Sequence, residues 1–168
     1  MHIIETKVEG FQIKQAERED TPLVLDFIKQ LAEYERLSHM VVATEGRLEK
    51  YLFGKDRIAE VIIGYDQGKP VGFALYFYNF STFLCRPGIY LEDIFVMEEF
   101  RGKGFGKAML TYLAKLAVEK DCGRLEWAVL DWNEPSIEFY KSLGARMLDE
   151  WIINRVSGDS LHKLAARF

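Results

Sequence analysis

The stretch YLEDIFVMEEFRGKGFGKAML, residues 90–110, decides the fold of this chain. It joins an apolar run over residues 89–97 to a glycine-rich segment at 101–106 and to helical periodicity over 107–120. A strand, a glycine turn and a helix in that order direct backbone N–H groups and the positive end of a helix dipole to one place. Glycines leave room for an anion to approach the backbone. The stretch therefore predicts a phosphate-binding turn.

The spacing of the glycines excludes two common phosphate-binding motifs. A dinucleotide fingerprint requires its third glycine where this chain has Lys107 or Met109. A P-loop requires a glycine at the position of Arg101 and Ser or Thr at the position of Ala108. What remains is Arg-x-x-Gly-x-Gly. A tight turn that only eases strand-to-helix packing is the alternative, and the flanking strand and helix favour phosphate binding.

Composition limits the class of protein. The chain has 168 residues, 49% of them apolar, which predicts one folded domain over residues 1–168. The net charge of −4 argues against a nucleic-acid surface and suits a small cationic substrate. Two cysteines and three histidines stand apart without ligand spacing, so the sequence predicts no metal site and no disulfide framework.

The apolar segments are too short for a membrane. None approaches the ~20 apolar residues that a membrane-spanning helix requires. The first seven residues, MHIIETK, contain no signal-peptide core. The sequence therefore predicts a cytoplasmic protein that contacts neither membrane nor nucleic acid.

Hydrophobic periodicity predicts a mixed α/β sheet. A hairpin turn is expected at Asp66-Gln67-Gly68-Lys69, and an aromatic loop over residues 79–88 before the central strand. The second predicted helix has Leu48, Tyr51 and Leu52 on its buried side. Helices are predicted over 21–34, 44–54, 107–120 and 133–144, with weak helical character at 157–168. Strands are predicted over 11–15, 57–65, 70–78, 89–97, 125–130 and 146–156.

Two carboxylates, Glu92 and Asp93, interrupt the apolar central strand. Strand alternation sends them to opposite faces, so both serve one site only if the strand is bulged or splayed. Burial of unpaired charge is costly, which places them at a solvated cleft or beside a specific partner; capping a loop or pairing with an arginine is the alternative. A carboxylate suits amine acylation because it attracts an ammonium and then accepts its proton. Tyr140, near the end of a short helix, could protonate a leaving thiolate, or could be a half-buried aromatic with its hydroxyl in water.

Three stretches, residues 90–97, 101–106 and 131–145, together resemble the diamine and polyamine (spermidine/spermine) and thialysine acetyltransferases of the GCN5-related N-acetyltransferase (GNAT) family. The resemblance implies the GNAT fold, a mixed central β-sheet with splayed central strands flanked by helices. It also implies acetyl-CoA as acetyl donor, direct transfer to a primary amine of a small cationic substrate, and a homodimer whose interface includes the C-terminal strand.

Site roles follow from the resemblance position by position. Glu92 matches a base that acts through water, Asp93 a substrate-binding carboxylate, and Tyr140 a general acid that also contacts the cofactor. Ile94 and Val96 would bind the pantetheine arm through their backbone. A further cofactor contact is implied at Asn133. Lys107 departs from the family pattern, which has a small residue at the helix start, and its extra cation suits cofactor binding at the phosphate. The positions matching the pyrophosphate loop are Arg101, Gly102, Lys103, Gly104 and Gly106.

Two departures from the family pattern bear on the acceptor. Polyamine enzymes are acidic just after the first helix, where this chain reads LSHMV at 37–41, which argues against long polyamines. The loop over residues 80–88 also differs. Two alternatives stay open: transfer to a peptide or protein amine, and a non-catalytic acyl-CoA-binding module. The presence of both a base and an acid, Glu92 and Tyr140, argues against the second.

Overall fold

The computed structural model describes residues 3–168, which divide into two compact units, one ending at Ala128 and the other covering Val129–Phe168. The first unit holds a six-stranded sheet in the order β1-β2-β3-β4-β5-β6. Neighbouring strands are antiparallel except β5 and β6, which are parallel. This confirms the predicted mixed sheet, while one domain over 1–168 stays a prediction. The strands are β1 Ile3–Glu5, β2 Phe11–Gln15, β3 Glu60–Asp66, β4 Lys69–Ser81, β5 Arg86–Val96 and β6 Leu125–Trp127.

The helices lie close to their predicted positions. Proline stands in the first turn of the first helix, and the Asp20 side chain does not cap that helix but accepts from the Glu17 backbone N–H at 2.9 Å. The helices are α1 Thr21–Tyr34, α2 Glu45–Leu48, α3 Phe105–Glu119, α4 Glu134–Ser142 and α5 Gly158–Ala165. Short 3-10 turns occupy Arg18–Asp20, Ser38–Met40 and Glu98–Phe100.

The predicted second helix changes geometry halfway along. Thr44 caps its start by accepting from the Arg47 N–H, and after α2 the chain continues as a π-helical turn, Glu49–Phe53. The wider turn shifts the phase of the buried side. Leu52 is therefore buried as expected, whereas Tyr51 is 41% exposed and its predicted burial is wrong.

The hairpin between β3 and β4 confirms its predicted turn. Gln67 and Gly68 both have positive φ, 49° and 82°, as a two-residue turn matched to strand twist requires. The aromatic loop predicted over 79–88 is wrong for most of its length. Asn79 pairs with Gly88 and Ser81 with Arg86, because the antiparallel ladder continues almost to the tip.

The sheet is covered on both faces by apolar side chains. On one face, Phe27 of α1 stacks on Phe73 of β4 with ring centroids 5.6 Å apart. On the other, Phe105 of α3 stacks on Phe11 at 4.3 Å. Met109 of α3 packs over Gly64, where an added Cβ would stand 3.4 Å from its sulfur. This arrangement fixes the start of α3 at the end of β5, which positions the glycine segment.

The second unit contains α4 and α5 but no strand among its residues. The strand predicted over 146–156 is therefore wrong, and the one predicted over 125–130 ends at Trp127. A strand requires a neighbouring strand to satisfy its backbone, and residues 129–168 provide none. The apolar side chains that suggested it remain exposed, with Trp151 at 71% and Ile152 at 83%.

Candidate active site

The glycine segment has the backbone conformation that an anion-binding turn requires. Gly102 and Gly104 have φ of 77° and 87°, in the left-handed region where other residues are strained. Gly104 is the residue preceding α3. The first N–H groups of a helix have no partner within that helix, so they point outward at this turn. Residues 101–104 are all exposed, which leaves those groups accessible to a bound anion.

The charges around this turn oppose the helix dipole. The first turn of α3 contains no acidic residue and instead contains the exposed Lys107. A cation beside the positive end of a helix is unfavourable unless an anion is bound there. Lys103, within the turn, makes a 3.5 Å ion pair with the Asp66 carboxylate, and its side chain is half exposed. The residues present fit a pyrophosphate group.

Arg101 connects the glycine turn to the sheet and to α1. Its Nε donates to the Val96 carbonyl oxygen at 2.9 Å, and its guanidinium lies 4.3 Å from the centre of the Tyr34 ring. The backbone N–H of Arg101 donates to the Glu98 carbonyl at 3.2 Å. These contacts assign Arg101 a role in holding the turn, and its contact with the cofactor stays a prediction.

A β-bulge brings the two carboxylates of β5 together. The register with β4 passes from Leu75–Asp93 to Tyr76–Leu91, so Glu92 has no counterpart on β4. A bulge interrupts the alternation of side chains. Both carboxylates can serve one site only if the strand is bulged or splayed, and this bulge meets that requirement. Glu92 is exposed and Asp93 partly buried, so the cluster borders solvent.

Electrostatics show that these carboxylates act on one another. Burial, then the negative charges of Glu92 and Glu35, raise the pKa of Asp93 from its ordinary 3.8 to about 6. Burial also raises the pKa of Glu35. Glu35 follows the last residue of α1, and sequence reasoning missed it because only the packing of α1 on the sheet brings it near β5. We name Glu35, Glu92 and Asp93 the carboxylate cluster.

The second edge of β5 is open beside this cluster. Pairing with β6 is confined to three registers, Ile89–Leu125, Tyr90–Glu126 and Leu91–Trp127. Within the part of the chain that the structure describes, no strand pairs with this edge from Glu92 to Val96. The backbone near Ile94 and Val96 therefore has no strand partner on that side, although the Val96 carbonyl accepts from the Arg101 Nε. This is the splaying that the resemblance implied, although pantetheine binding there stays a prediction.

The remaining predicted site residues lie in the second unit. Asn133 is 6% exposed, and its side chain accepts from the Ser136 N–H at 3.4 Å, capping α4. Tyr140 of α4 is 8% exposed, with its ring centre 5.3 Å from that of Phe139. The alternative of a half-buried tyrosine with its hydroxyl in water is therefore wrong about burial. The roles of Asn133 and Tyr140 stay predictions.

Two features of residues 3–168 bear on other classes of site. No three His, Cys, Asp or Glu side chains are grouped so that they could hold a metal ion. None of the described helices combines the length and the apolar character that crossing a membrane requires.

Comparison with known proteins identifies the family. The profile of the acetyltransferase (GNAT) family matches residues 21–145. Thialysine N-epsilon-acetyltransferase of Mus musculus is 38% identical over 93% of this chain and 98% of its own length. L-ornithine N5-acetyltransferase of Arabidopsis thaliana is 33% identical over 91% of this chain and 87% of its own.

A solved structure has a similar fold. An integron cassette protein of V. cholerae superposes with a TM-score of 0.79 at 30% identity, covering 93% of this chain and 98% of that one. The family profile, the full-length relatives and the strand–turn–helix unit at the end of β5 agree. The chain belongs to the GNAT family of acetyltransferases.

Proposed function

We propose that this enzyme transfers the acetyl group of acetyl-CoA to a primary amine of a small cationic substrate. The acceptor classes are a diamine, a polyamine and an amino acid with an amine side chain of the thialysine type. The observation that carries the proposal is the bulge at Glu92, which places the carboxylate cluster beside the open edge of β5. The same strand leads to the anion-binding turn, so sites for a cation and for an anion lie along one element.

The names of the relatives support an amine acceptor. The relatives from mouse and Arabidopsis act, by name, on thialysine and on ornithine. Both are amino acids that carry a second amine at the end of the side chain. The two relatives are matched over most of their length, so the likeness includes the sheet and the glycine turn.

The carboxylate cluster provides what amine acetylation needs. A primary ammonium with a pKa near ~10.4 must lose its proton before it can attack, which costs roughly 4.6 kcal/mol at pH 7. Asp93 and Glu35 attract the ammonium, and Glu92 accepts its proton through water. The new bond joins the amine nitrogen to the acetyl carbon. Exposure of Glu92 to solvent gives the proton a route out of the site.

The leaving group must gain a proton, whereas the amine must lose one. As the bond between carbon and sulfur breaks, the thiolate requires a proton, and we assign that donation to Tyr140. Burial of the Tyr140 side chain suits this role, because a proton donor with little access to solvent passes its proton to a bound group. No residue forms a covalent acyl-enzyme in this scheme.

Acetyl-CoA would be held at the turn and along the open edge of β5. It supplies the activated acetyl thioester. The N–H groups of residues 102–107 and the ammonium groups of Lys103 and Lys107 would hold the pyrophosphate. Ile94 and Val96 would bind the pantetheine arm through their backbone, and Asn133 would contact the cofactor.

Release of free CoA from acetyl-CoA tests the function. The acceptors are spermidine, spermine, short diamines, lysine, ornithine, thialysine and a basic peptide. We expect turnover with at least one small amine. Turnover with the peptide alone would replace the proposal by peptide acetylation. Tight binding of acetyl-CoA with no turnover on any acceptor would favour the binding module.

A homodimer and a cytoplasmic location are further expectations from the sequence. Support for the dimer comes from the segment 146–156, whose apolar residues are exposed, and from β6, which ends the strand order of the sheet. The same segment of a second copy would give these residues a strand partner. Light scattering after size exclusion should give about twice the mass of the 19.5 kDa chain. The monomer mass at micromolar concentration would refute the dimer.

A further inference from the structure

A second polar group lies on the face of the sheet that carries Asp93. Tyr90 of β5 pairs with Phe77 on one side and with Glu126 on the other, so these side chains share a face. Leu75, two positions from Phe77, pairs with Asp93 and belongs to the same face. Glu126 is therefore on the Asp93 side of the sheet and not on the α3 side.

Three polar side chains meet at this place. The Asn79 Nδ2 donates to Glu126 Oε2 at 3.2 Å. The Nε of Arg124 lies 2.8 Å from the same carboxylate oxygen. We name Asn79, Arg124 and Glu126 the polar triad.

Gly88 makes room for the triad. A Cβ at Gly88 would collide with the Asn79 Oδ1 and would stand 2.9 Å from the Arg124 Cγ. Both side chains therefore lie directly over the glycine. Any larger residue at this position would force them off the strand.

The triad is not satisfied by its own members. The Asn79 Oδ1, an acceptor, and the Arg124 Nε, a donor, are buried without a hydrogen-bond partner among residues 3–168. The Nε is close to Glu126 but not aligned for a hydrogen bond. Turning the Asn79 amide over would direct its oxygen at the Glu126 carboxylate, so the orientation is fixed by Glu126. Buried unpaired groups cost free energy and require an explanation.

The unpaired atoms of the triad include an acceptor and a donor, so together they can bind a ligand that carries both signs of charge. The Asn79 oxygen and the Glu126 carboxylate can accept hydrogen bonds from an ammonium, and the Arg124 guanidinium can bind a carboxylate. The side chains of Arg124 and Glu126 are 35% and 30% exposed, so the ion pair borders solvent, and we expect Arg124 to turn aside when a ligand binds. An ion pair of this exposure contributes little to stability, so breaking it to bind a ligand costs little free energy.

The distance between the polar triad and Asp93 matches the length of a short substrate side chain. Asp93 is three positions beyond Tyr90, the β5 neighbour of Glu126, which corresponds to roughly 7–10 Å along the strand. An extended lysine spans about 6 Å from Cα to Nζ, and a hydrogen bond at each end adds about 3 Å. The amine of such a side chain reaches Asp93 while the head group lies at the triad.

From this geometry we infer that the polar triad binds the zwitterionic α-amino and α-carboxylate head group of the acceptor. The substrate class is then an amino acid with a terminal side-chain amine, and not a diamine or a polyamine. The inference rests on the proposed function, because it names the acceptor of the same site. The carboxylate cluster receives the amine to be acetylated.

Matched acceptors test the subsite. L-ornithine and L-lysine are compared with 1,4-diaminobutane and 1,5-diaminopentane, which lack only the carboxylate. In the wild type we expect kcat/KM at least about tenfold higher for the amino acids. In Arg124→Met that preference falls by roughly 10- to 100-fold, since a charge-assisted contact is removed. The ratio within one variant does not depend on the folded fraction.

Further variants locate the effect. Arg124→Lys keeps the charge but not the planar fork, and it should give an intermediate preference; it also carries the test if the Met variant fails to fold. Arg57→Met is the matched control, because Arg57 makes a 2.8 Å ion pair with Glu60, whose strand partner Tyr76 is on the other face of the sheet. This variant should keep the wild-type preference.

The outcomes separate this inference from the proposed function. Equal turnover of amino acid and diamine by the wild type, or an equal loss of both in Arg124→Met, overturns the head-group subsite alone. Absence of turnover with every amine contradicts the proposed function and the subsite together. A preference for the amino acid that is lost in Arg124→Met and kept in Arg57→Met supports both.

Discussion

The carboxylate cluster and the glycine turn differ in how the chain builds them, although both depend on β5. The turn is local: a strand, two glycines of positive φ and a helix follow one another in sequence. The cluster needs the irregular register between β4 and β5 and the end of α1. A local motif is readable from sequence, whereas a cluster assembled by strand pairing requires the structure.

The two regions share one property, which is charge placed where folding does not favour it. Asp93 is a partly buried carboxylate beside two other acids, and Lys107 is a cation at the positive end of a helix. Either charge becomes favourable when a ligand of opposite sign is bound. Local conflict of this kind is expected at functional sites. The signs assign a cation to the cluster and an anion to the turn.

The largest effect expected is that of Glu92→Gln. Removal of the base should lower kcat by about 10²- to 10⁴-fold and leave the affinity for acetyl-CoA unchanged. Steady-state kinetics with the best amine and calorimetric binding of acetyl-CoA measure the two quantities. Glu119→Gln, an exposed carboxylate late in α3, is the control and should retain activity. A kcat within threefold of the wild type would remove Glu92 from the mechanism.

Asp93→Asn should weaken the activity and stabilise the fold. Loss of the ammonium contact should raise the KM for the amine roughly 10- to 100-fold. The pKa of Asp93 lies above its unfolded value, so ionisation destabilises the folded state as pH rises from 3.8 to about 6. Above pH 6 the penalty is complete, up to about 3 kcal/mol. The variant should therefore gain stability at pH 7–8 and not below pH 4.

Urea denaturation of both proteins across pH 4–8 measures this difference in the free energy of unfolding. The wild-type KM for the amine should also rise below pH 6, where Asp93 is protonated, and this dependence should disappear in Asp93→Asn. A variant that is less stable than the wild type at pH 8 would show that Asp93 is a structural carboxylate. The carboxylate cluster would then not be a cation-binding site.

Sequence reasoning recovered the parts of the fold that local patterns encode. The turn at Gln67–Gly68, the start of α4 at Asn133 and the glycine segment each depend on residues next to one another. The bulge was stated only as a condition on Glu92 and Asp93, because register depends on two strands at once. Glu35 was missed for the same reason, since α1 meets β5 only in the folded chain.

The error at residues 146–156 has a different cause. Apolar residues are frequent there, at 147–148, 151–153 and 156, but an apolar pattern describes side chains and not a hydrogen-bond partner. Residues 129–168 contain no second strand, so the backbone has nothing to pair with within this unit. The opposite error occurred at 79–88, where polar and aromatic residues suggested a loop although β4 and β5 continue their ladder.

Gly104→Ala tests the glycine turn as an anion-binding site. A Cβ at φ 87° is strained, at a cost of about 1–2 kcal/mol, and the turn must distort to relieve it. We expect the KM for acetyl-CoA to rise about 3- to 10-fold while the KM for the amine is unchanged. Gly46→Ala is the matched control: Gly46 lies within α2 and a Cβ there meets nothing within 4 Å. Equal kinetic effects of the two substitutions would mean that Gly104 has no special role.

The smallest effect expected is that of Glu35→Gln, which tests whether the cluster acts as a unit. The charge of Glu35 raises the pKa of Asp93, so its removal should lower that pKa. The rise in KM below pH 6 should then begin at a lower pH, and the KM at pH 8 should increase only about two- to fivefold. Amine kinetics over pH 5–8 measure both shifts. An unchanged pH dependence with a raised KM would show that Glu35 contacts the substrate without influencing Asp93, and the cluster would be two independent sites for positive charge.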